Sequence, residues 1–349
     1  MERMPLISCI LIILSLSLIS TGKGERFWKI SPPEAQPAER LWRGKLGEAL
    51  TGLVNARKGN SVKGVTELKK YLQSFGYLSH EIHNFTDSYD ARVESAVKLY
   101  QRSFGLPETG NLDAQTLTQI STPRCGVADL IDGSSVTPRL KHFTFFHGTP
   151  RWPRRKRNLS YAFSPLDKSL GIDEFQLRTL LARAFHRWSR VIPVTFTATE
   201  DFESADVKIG FFSGNHGDSQ AFDGPLGTLG HAFCPQNGRL HLDAEEQWSL
   251  NLEEDKAAID AIDLESICTH EIGHVLGLGH SSLKTTVMYP FIHPRTRKVD
   301  LTADDVSGAQ ALYGINPHYS GGLHQAFDGF SLFFAVLSSL FSWGLFILL

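Results

Sequence analysis

The sequence predicts an α+β protein, a small helical unit followed by a mixed sheet with helices packed on it. Three observations predict this. Apolar residues recur at three- and four-residue spacing within residues 62–121. From Leu159 onward, short strand patterns bracket one long amphipathic helix. A second helix in that region carries His270 and His274 four residues apart. The chain has 349 residues, 42% hydrophobic and 21% charged, enough for two domains with proper cores. Lys and Arg total 35 against 37 Asp and Glu, a balance that argues against a nucleic-acid binder.

At the N-terminus, Glu2 and Arg3 precede an apolar run from Ile7 to Ile19 and then the small residues Ser20-Thr21-Gly22. This reads as a signal peptide over residues 1–22, too short for a membrane span, and implies an oxidising, calcium-rich destination. Residues 62–121 follow. Val62, Val65, Leu68 and Leu72 form one stripe and Val93, Val97, Tyr100 and Phe104 another, while Asp113 caps a third helix carrying Leu117 and Ile120. Residues 126–157 show no sustained periodicity and read as a linker or exposed loop. Leu159–Phe163 reads as a strand, and Leu177, Leu181, Ala184, Phe185 and Trp188 as one helix face. Val194–Phe196 and Val207–Phe211 are short strands, and Ala257, Ala258, Ile262, Leu264 and Ile267 suggest a helix running into His270. An apolar stretch from Phe330 to Leu349, without Lys or Arg, lies beyond the small triplet Ser320-Gly321-Gly322 and a spacer. That order reads as a GPI-attachment signal with Ser320 as the attachment residue, with a plain tail helix or a secreted form as alternatives. Asn84 and Asn158 head glycosylation sequons.

The chemistry concentrates in His270-Glu271-Ile272-Gly273-His274-Val275-Leu276-Gly277-Leu278-Gly279-His280. Residues four apart on a helix project from one face, so both imidazoles can direct a nitrogen to one zinc at about 2.0–2.1 Å. Gly277 lets the chain leave the helix and bring His280 round as third ligand. Three neutral imidazoles leave a fourth position for water, and Glu271, next to the first ligand, is the general base. Met288 follows the third histidine by eight residues, within Val287-Met288-Tyr289-Pro290, and together with the zinc motif this is the signature of metzincin peptidases.

On these motifs the sequence resembles the matrixins, the matrix metalloproteinase family, between residues 60 and 315. Phe145–Trp152 and the apolar tail make it most similar to plant members, which lack a hemopexin-like domain. The resemblance implies a metzincin catalytic domain, a twisted mixed five-stranded sheet with three helices, over 143–316. It also implies a propeptide over 23–142 that includes the three-helix unit. Pro123-Arg124-Cys125-Gly126-Val127-Ala128-Asp129 is similar to the family's latency motif, so Cys125 is expected as an inhibitory zinc ligand. His216, Asp218, His231 and His241 match the family's structural-zinc positions, a closed donor set. Asp223, Asp243 and Glu246, with the carbonyls of Gly224, Leu226 and Thr228, match a calcium site. Asp206 fits a further calcium site, but Arg239 stands where an acidic residue is expected there. Thr228–Gly230 is expected to pair with extended substrate. Pro290, Phe291 and Ile292 are expected to wall the pocket beyond the scissile bond, with Ser266 at the position that varies its depth.

Cys234 and Cys268 form a bridge or stay free. Arg154-Arg155-Lys156-Arg157 resembles a furin-type site, but the family's mature start places activation near Phe143, by another protease or by self-cleavage. The expected function is a secreted latent zinc- and calcium-dependent endopeptidase of extracellular proteins, held on the outer membrane leaflet by a GPI anchor. The alternative is a catalytically silent surface scaffold. The intact Glu271 and ligand set separate the two.

Overall fold

The computed structural model describes residues 45–82, 85–130 and 142–319. The expected signal peptide, Asn84, Ser320 and the apolar tail lie outside them.

The N-terminal helical unit contains α1 (Lys45–Leu50), α2 (Val65–Ser74), α3 (Ala91–Ser103) and α4 (Ala114–Ile120). Asp90 caps α3 by accepting from the N–H groups of Arg92 and Val93, and Asp113 caps α4 by accepting from Thr116 N–H. The expected stripes are its core: Val65, Leu68, Leu72, Val93, Val97 and Tyr100 are buried together with Leu117 and Ile120. Tyr289 and Phe291, from far along the chain, complete this core.

The sheet runs β1 (Arg124–Cys125), β5 (Thr228–Ala232), β6 (Arg239–Asp243), β4 (Val207–Phe212), β2 (Asn158–Phe163), β3 (Thr195–Ala198) in spatial order. Only the β5–β6 pair is antiparallel. Five strands come from the region expected to form the sheet, and β1, from the cysteine segment, adds a sixth at the edge. A small ladder joins β7 (Trp248–Ser249) to β8 (Ile262–Asp263). Three helices accompany the sheet: α5 (Glu174–Val191), α6 (Leu264–Val275) and α7 (Ala303–Tyr313). Asp173 caps α5, whose buried face runs from Leu177 through Trp188 to Val191.

Two expectations need correcting. The helix bearing His270 starts at Leu264, so Ala257 and Ala258 precede it in turns. Asp263 stops the helix extending backwards, because its carboxylate caps the helix by accepting from Ser266 N–H. Residues 142–157 are not a free linker either. Phe143 and Trp152 are buried, and the Trp152 indole donates to Val275 O at 2.9 Å. Such anchors are single residues packed non-locally, which leaves no period to read.

A second indole, that of Trp188, donates to Thr269 O at 2.9 Å, fixing α6 on α5. Beside it lies an ionic cluster around one buried carboxylate. Glu265, inaccessible to solvent, meets Arg183 at 2.7 Å, Arg187 at 2.5 Å and Arg297 at 2.8 Å. Burial opposes ionisation, but hydrogen bonds from Arg183, Arg297 and Arg187 outweigh it and hold the carboxyl at about 2. A carboxyl whose folded pKa is depressed stabilises the fold above its unfolded value of about 4.3, and that stability is lost as pH falls towards the folded value. Glu265→Gln should therefore cost about 3 kcal/mol at neutral pH. Wild-type melting temperature should fall more steeply than the variant's between about pH 5 and pH 2. Parallel profiles in thermal unfolding across that range would remove the cluster's role.

Candidate active site

His270 and His274 project from α6, and His280 returns after the helix ends. The turn at Gly277 requires glycine twice over, since its φ is +103° and a Cβ there would sit 2.2 Å from Pro150 O. The Nε2 atoms of His270 and His274 lie 3.1 Å apart, and those of His274 and His280 3.2 Å apart. Cys125 Sγ is 3.4 Å from His274 Nε2. All four residues are buried, with their donor atoms within 4.8 Å of one another.

The opposite ring nitrogens explain why this is a metal site. His270 Nδ1 faces Val287 O at 2.7 Å, His274 Nδ1 faces Leu278 O at 2.8 Å, and His280 Nδ1 faces Asp129 Oδ1 at 2.8 Å. Each partner is an acceptor, so each Nδ1 carries the proton and each Nε2 presents a lone pair. Burial pushes all three rings below the ordinary imidazole value, keeping them neutral. Three lone pairs converging in a buried space repel unless a cation sits between them. The donor set fits zinc.

Glu271 lies next to this cluster with both oxygens buried and without a hydrogen-bond partner in the structure. Burial pushes its carboxyl up to about 8. Beneath the helix is Met288, which Gly273 admits, because a Cβ there would fall 2.3 Å from the Met288 sulfur. The N–H groups of Val287 and Met288 donate to Asp305, each at 3.0 Å, and Asp305 also accepts from Thr302 N–H at the start of α7. Nothing in the sequence singled out Asp305, which lies in the first turn of α7 and also fixes the turn under the histidines.

The segment around Cys125 fills a slot between β5 and residues 290–292. Arg124 N–H donates to Gly227 O, Gly126 N–H to Gly230 O, Cys125 N–H to Pro290 O and Ile292 N–H to Pro123 O, all at 2.8–3.1 Å. Thr228–Gly230, the edge expected to receive substrate, thus pairs with an extended segment of the same molecule. Arg124 anchors that chain. It is 2% exposed, pairs with Asp129 at 2.7 Å, reaches Tyr71 OH at 3.1 Å and stacks 3.4 Å from the Phe75 ring centre.

Next to Cys125 a cavity of about 20 Å³ is lined by Ser266, Pro290 and Ile292, as expected, and by Ile267, Val287, Tyr289 and Lys298. Phe291 is not in its wall. Side chains alternate along an extended segment, so Phe291 turns away, 5.0 Å from the Phe104 ring and 4.6 Å from the Arg124 guanidinium. Lys298 escaped sequence reasoning because nothing local marks it.

The second cluster also forms. Asp218 Oδ2 is 2.9 Å from His216 Nε2 and 2.8 Å from both His231 Nε2 and His241 Nδ1. These four donors also fit zinc and would fill a tetrahedral ion, leaving no position for a catalytic water. Asp223, Asp243 and Glu246 are neighbours but do not converge as tightly as either zinc cluster. Asp223 Oδ1 accepts from Thr228 N–H and Glu246 Oε1 from Leu226 N–H, each at 2.7 Å. Asp243 Oδ2 and Glu246 Oε2 are buried without partners. Burial, reinforced by repulsion from neighbouring carboxylates, raises Asp243 to about 6 and Glu246 to about 8. Asp206 departs from the expected calcium role, because its cation is Lys156 and its other oxygen accepts from Ser160. Arg239 instead lies over the Phe233 ring at 4.1 Å. Asn158 is exposed at the start of β2. Cys125, Cys234 and Cys268 are all free thiols, which resolves the bridge left open above.

A helix-borne histidine pair, a third histidine after a glycine turn, an adjacent buried glutamate and a methionine beneath define a zinc endopeptidase. Residues 151–314 match the family model described as Matrixin, and residues 61–120 the model described as "Putative peptidoglycan binding domain". Metalloendoproteinase 1-MMP of Arabidopsis thaliana is 50% identical over 267 residues, 76% of this chain and 73% of its own length. Metalloendoproteinase 2-MMP of the same plant is 42% identical, over 90% of this chain and 87% of its own. Matrilysin of Rattus norvegicus is 36% identical, over 65% and 80%. The chain belongs to the matrixin family of zinc metalloendopeptidases.

Proposed function

We propose that the chain is a latent, calcium-supported precursor of this peptidase, with Cys125 closing the catalytic zinc site and Glu271 serving as general base. The observation that carries the reading is the convergence of Cys125 Sγ on the three histidine lone pairs, beside a glutamate with no other partner. Zinc held by His270, His274 and His280 supplies Lewis-acid chemistry, acidifying water and polarising the peptide carbonyl. The chain's own residues do the rest. β5 and residues 290–292 grip an extended substrate once the 123–126 segment leaves. Glu271 takes a proton from the attacking water on a carboxylate oxygen and returns it to the leaving amine nitrogen. The buried walls keep other water from the carbonyl.

Extracellular protein substrates, the secretory route, glycosylation at Asn84 and Asn158 and a GPI anchor at Ser320 belong to the same proposal. Sequence patterns support them, and the exposure of Asn158 agrees. His216, Asp218, His231 and His241 would hold a structural zinc.

Calcium is supported by the two unpartnered buried oxygens of Asp243 and Glu246. A calcium-selective chelator should leave zinc in place but lower the melting temperature of the full-length chain by roughly 5–10 °C. Glu246→Gln should abolish that response. A zinc chelator should stop peptide hydrolysis by the activated chain at any calcium level. Equal melting temperatures with and without calcium would overturn the calcium assignment alone, and hydrolysis surviving zinc removal would overturn the mechanism.

A further inference from the structure

We infer that Arg297 and Asp263 are positioning residues that fix the depth of the pocket beyond the scissile bond, and so the length of side chain the enzyme accepts there. This rests on the reading of the cavity beside Cys125 as that pocket. Two of its lining residues come from different parts of the chain, Ser266 from the first turn of α6 and Lys298 from the segment after Ile292. A closed ring of hydrogen bonds joins them. Arg297 Nη1 donates to Asp263 Oδ1 at 3.1 Å, and its Nη2 to Glu265 Oε2 at 2.8 Å. Asp263 Oδ2 accepts from Ser266 N–H at 2.9 Å and from the Ser266 hydroxyl at 2.5 Å. Ser266 Oγ in turn accepts from Lys298 N–H at 2.6 Å, which returns the ring to the residue beside Arg297.

Asp263 in the ring and Glu265 beside it are inaccessible to solvent, while the Arg297 side chain that joins them is 44% exposed, and hydrogen bonds between charged groups are stronger than neutral ones. The segment is fastened a second time at Arg295, whose guanidinium donates to Leu252 O, Asp255 O and Ala258 O. One clamp therefore lies immediately beneath the pocket and the other further out. Releasing Arg297 frees the inner one. Lys298 then loses its side-chain-anchored neighbour, and a longer substrate side chain can displace it.

Removing Arg297 takes the guanidinium from the buried Asp263 carboxylate but leaves both buried carboxylates with hydrogen-bond donors. Glu265 keeps Arg183 and Arg187, and Asp263 keeps both Ser266 donors. The variant should therefore fold, and Arg297→Lys, which keeps charge but not the two-pronged geometry, should behave between it and wild type.

The test uses the full-length chain, activated by limited proteolysis and titrated for active sites. Its substrates are peptides differing only in the residue after the scissile bond, either Leu or the much longer 4-phenylphenylalanine. Wild type should favour Leu. Arg297→Ala should narrow that preference by about tenfold, chiefly through a lower KM for the long residue, in line with what pocket contacts of this size are worth. The Leu peptide should change by less than about threefold. Ser266→Ala, which removes the acceptor for Lys298 N–H, should narrow the preference too. An unchanged ratio in both variants, or equal losses on both peptides, would overturn the clamp. If wild type shows no preference at all, the pocket reading itself fails, a result distinct from failure of the clamp.

Discussion

Glu271→Gln should leave the zinc content of the activated chain unchanged and lower kcat for a quenched peptide by about 10²–10⁴-fold. The two halves of that expectation have separate physical origins. Zinc is held by the lone pairs of His270, His274 and His280, whose Nδ1 protons are committed to Val287 O, Leu278 O and Asp129. None of these bonds involves Glu271. The glutamine amide is isosteric and neutral, so it suits a site where burial already pushes the carboxyl up to about 8. Folding and metal binding should survive. What the amide lacks is a basic oxygen, and among the described residues the cluster of Cys125 and the three histidines contains no carboxylate that could replace it. KM should change little, because the proposed grip on substrate comes from backbone of β5 and residues 290–292. A variant with kcat within about threefold of wild type and full zinc would place the base elsewhere.

Much of this site could be read from the chain because its chemistry is local. Two ligands four residues apart need only a helix, and the third needs only a turn that Gly277 permits. The place of Cys125 beside the three histidines was legible through a motif, and the prodomain core through its 3.6-residue period. Where reading failed, the cause was packing between distant residues. Trp152 and Phe143 turned an apparent linker into core. Phe291 went to the prodomain because strand alternation puts it opposite Pro290 and Ile292. Glu265 gathers arginines from α5 and from the segment near residue 297, and no sequence window spans that cluster. Asp305 serves two partners, only one of them its own helix. The start of α6 was misplaced because alanines at 257 and 258 favour helix, whereas β8 pairing with β7 holds residues 262–263 extended.

Cys125→Ala in the full-length chain should convert a stable precursor into one that processes itself, with conversion roughly 100-fold faster, a change equivalent to about 3 kcal/mol. In the proposed latent form the thiol is one part of the latch. Wild-type protein should show sulfur in the first shell of its zinc by X-ray absorption, and the variant should show none. The rest of the segment stays anchored in the variant. Four backbone hydrogen bonds hold residues 123–126 and 292, and Arg124 remains buried against Asp129, Tyr71 and the Phe75 ring. Opening should therefore be frequent but incomplete, giving processing over time and not full activity at once. Arg124→Ala is the sharper contrast, since it strands Asp129 as a buried carboxylate with only His280 and Tyr77 for partners, while the thiol remains. If that variant self-processes as fast as Cys125→Ala, docking and ligation share the latch. The processed product should begin near Phe143. A start at Asn158 would remove Trp152, whose indole holds the end of the zinc helix at Val275 O, and such a product should be less stable and less active. A Cys125→Ala precursor as persistent and silent as wild type would show that the docked strand alone enforces latency.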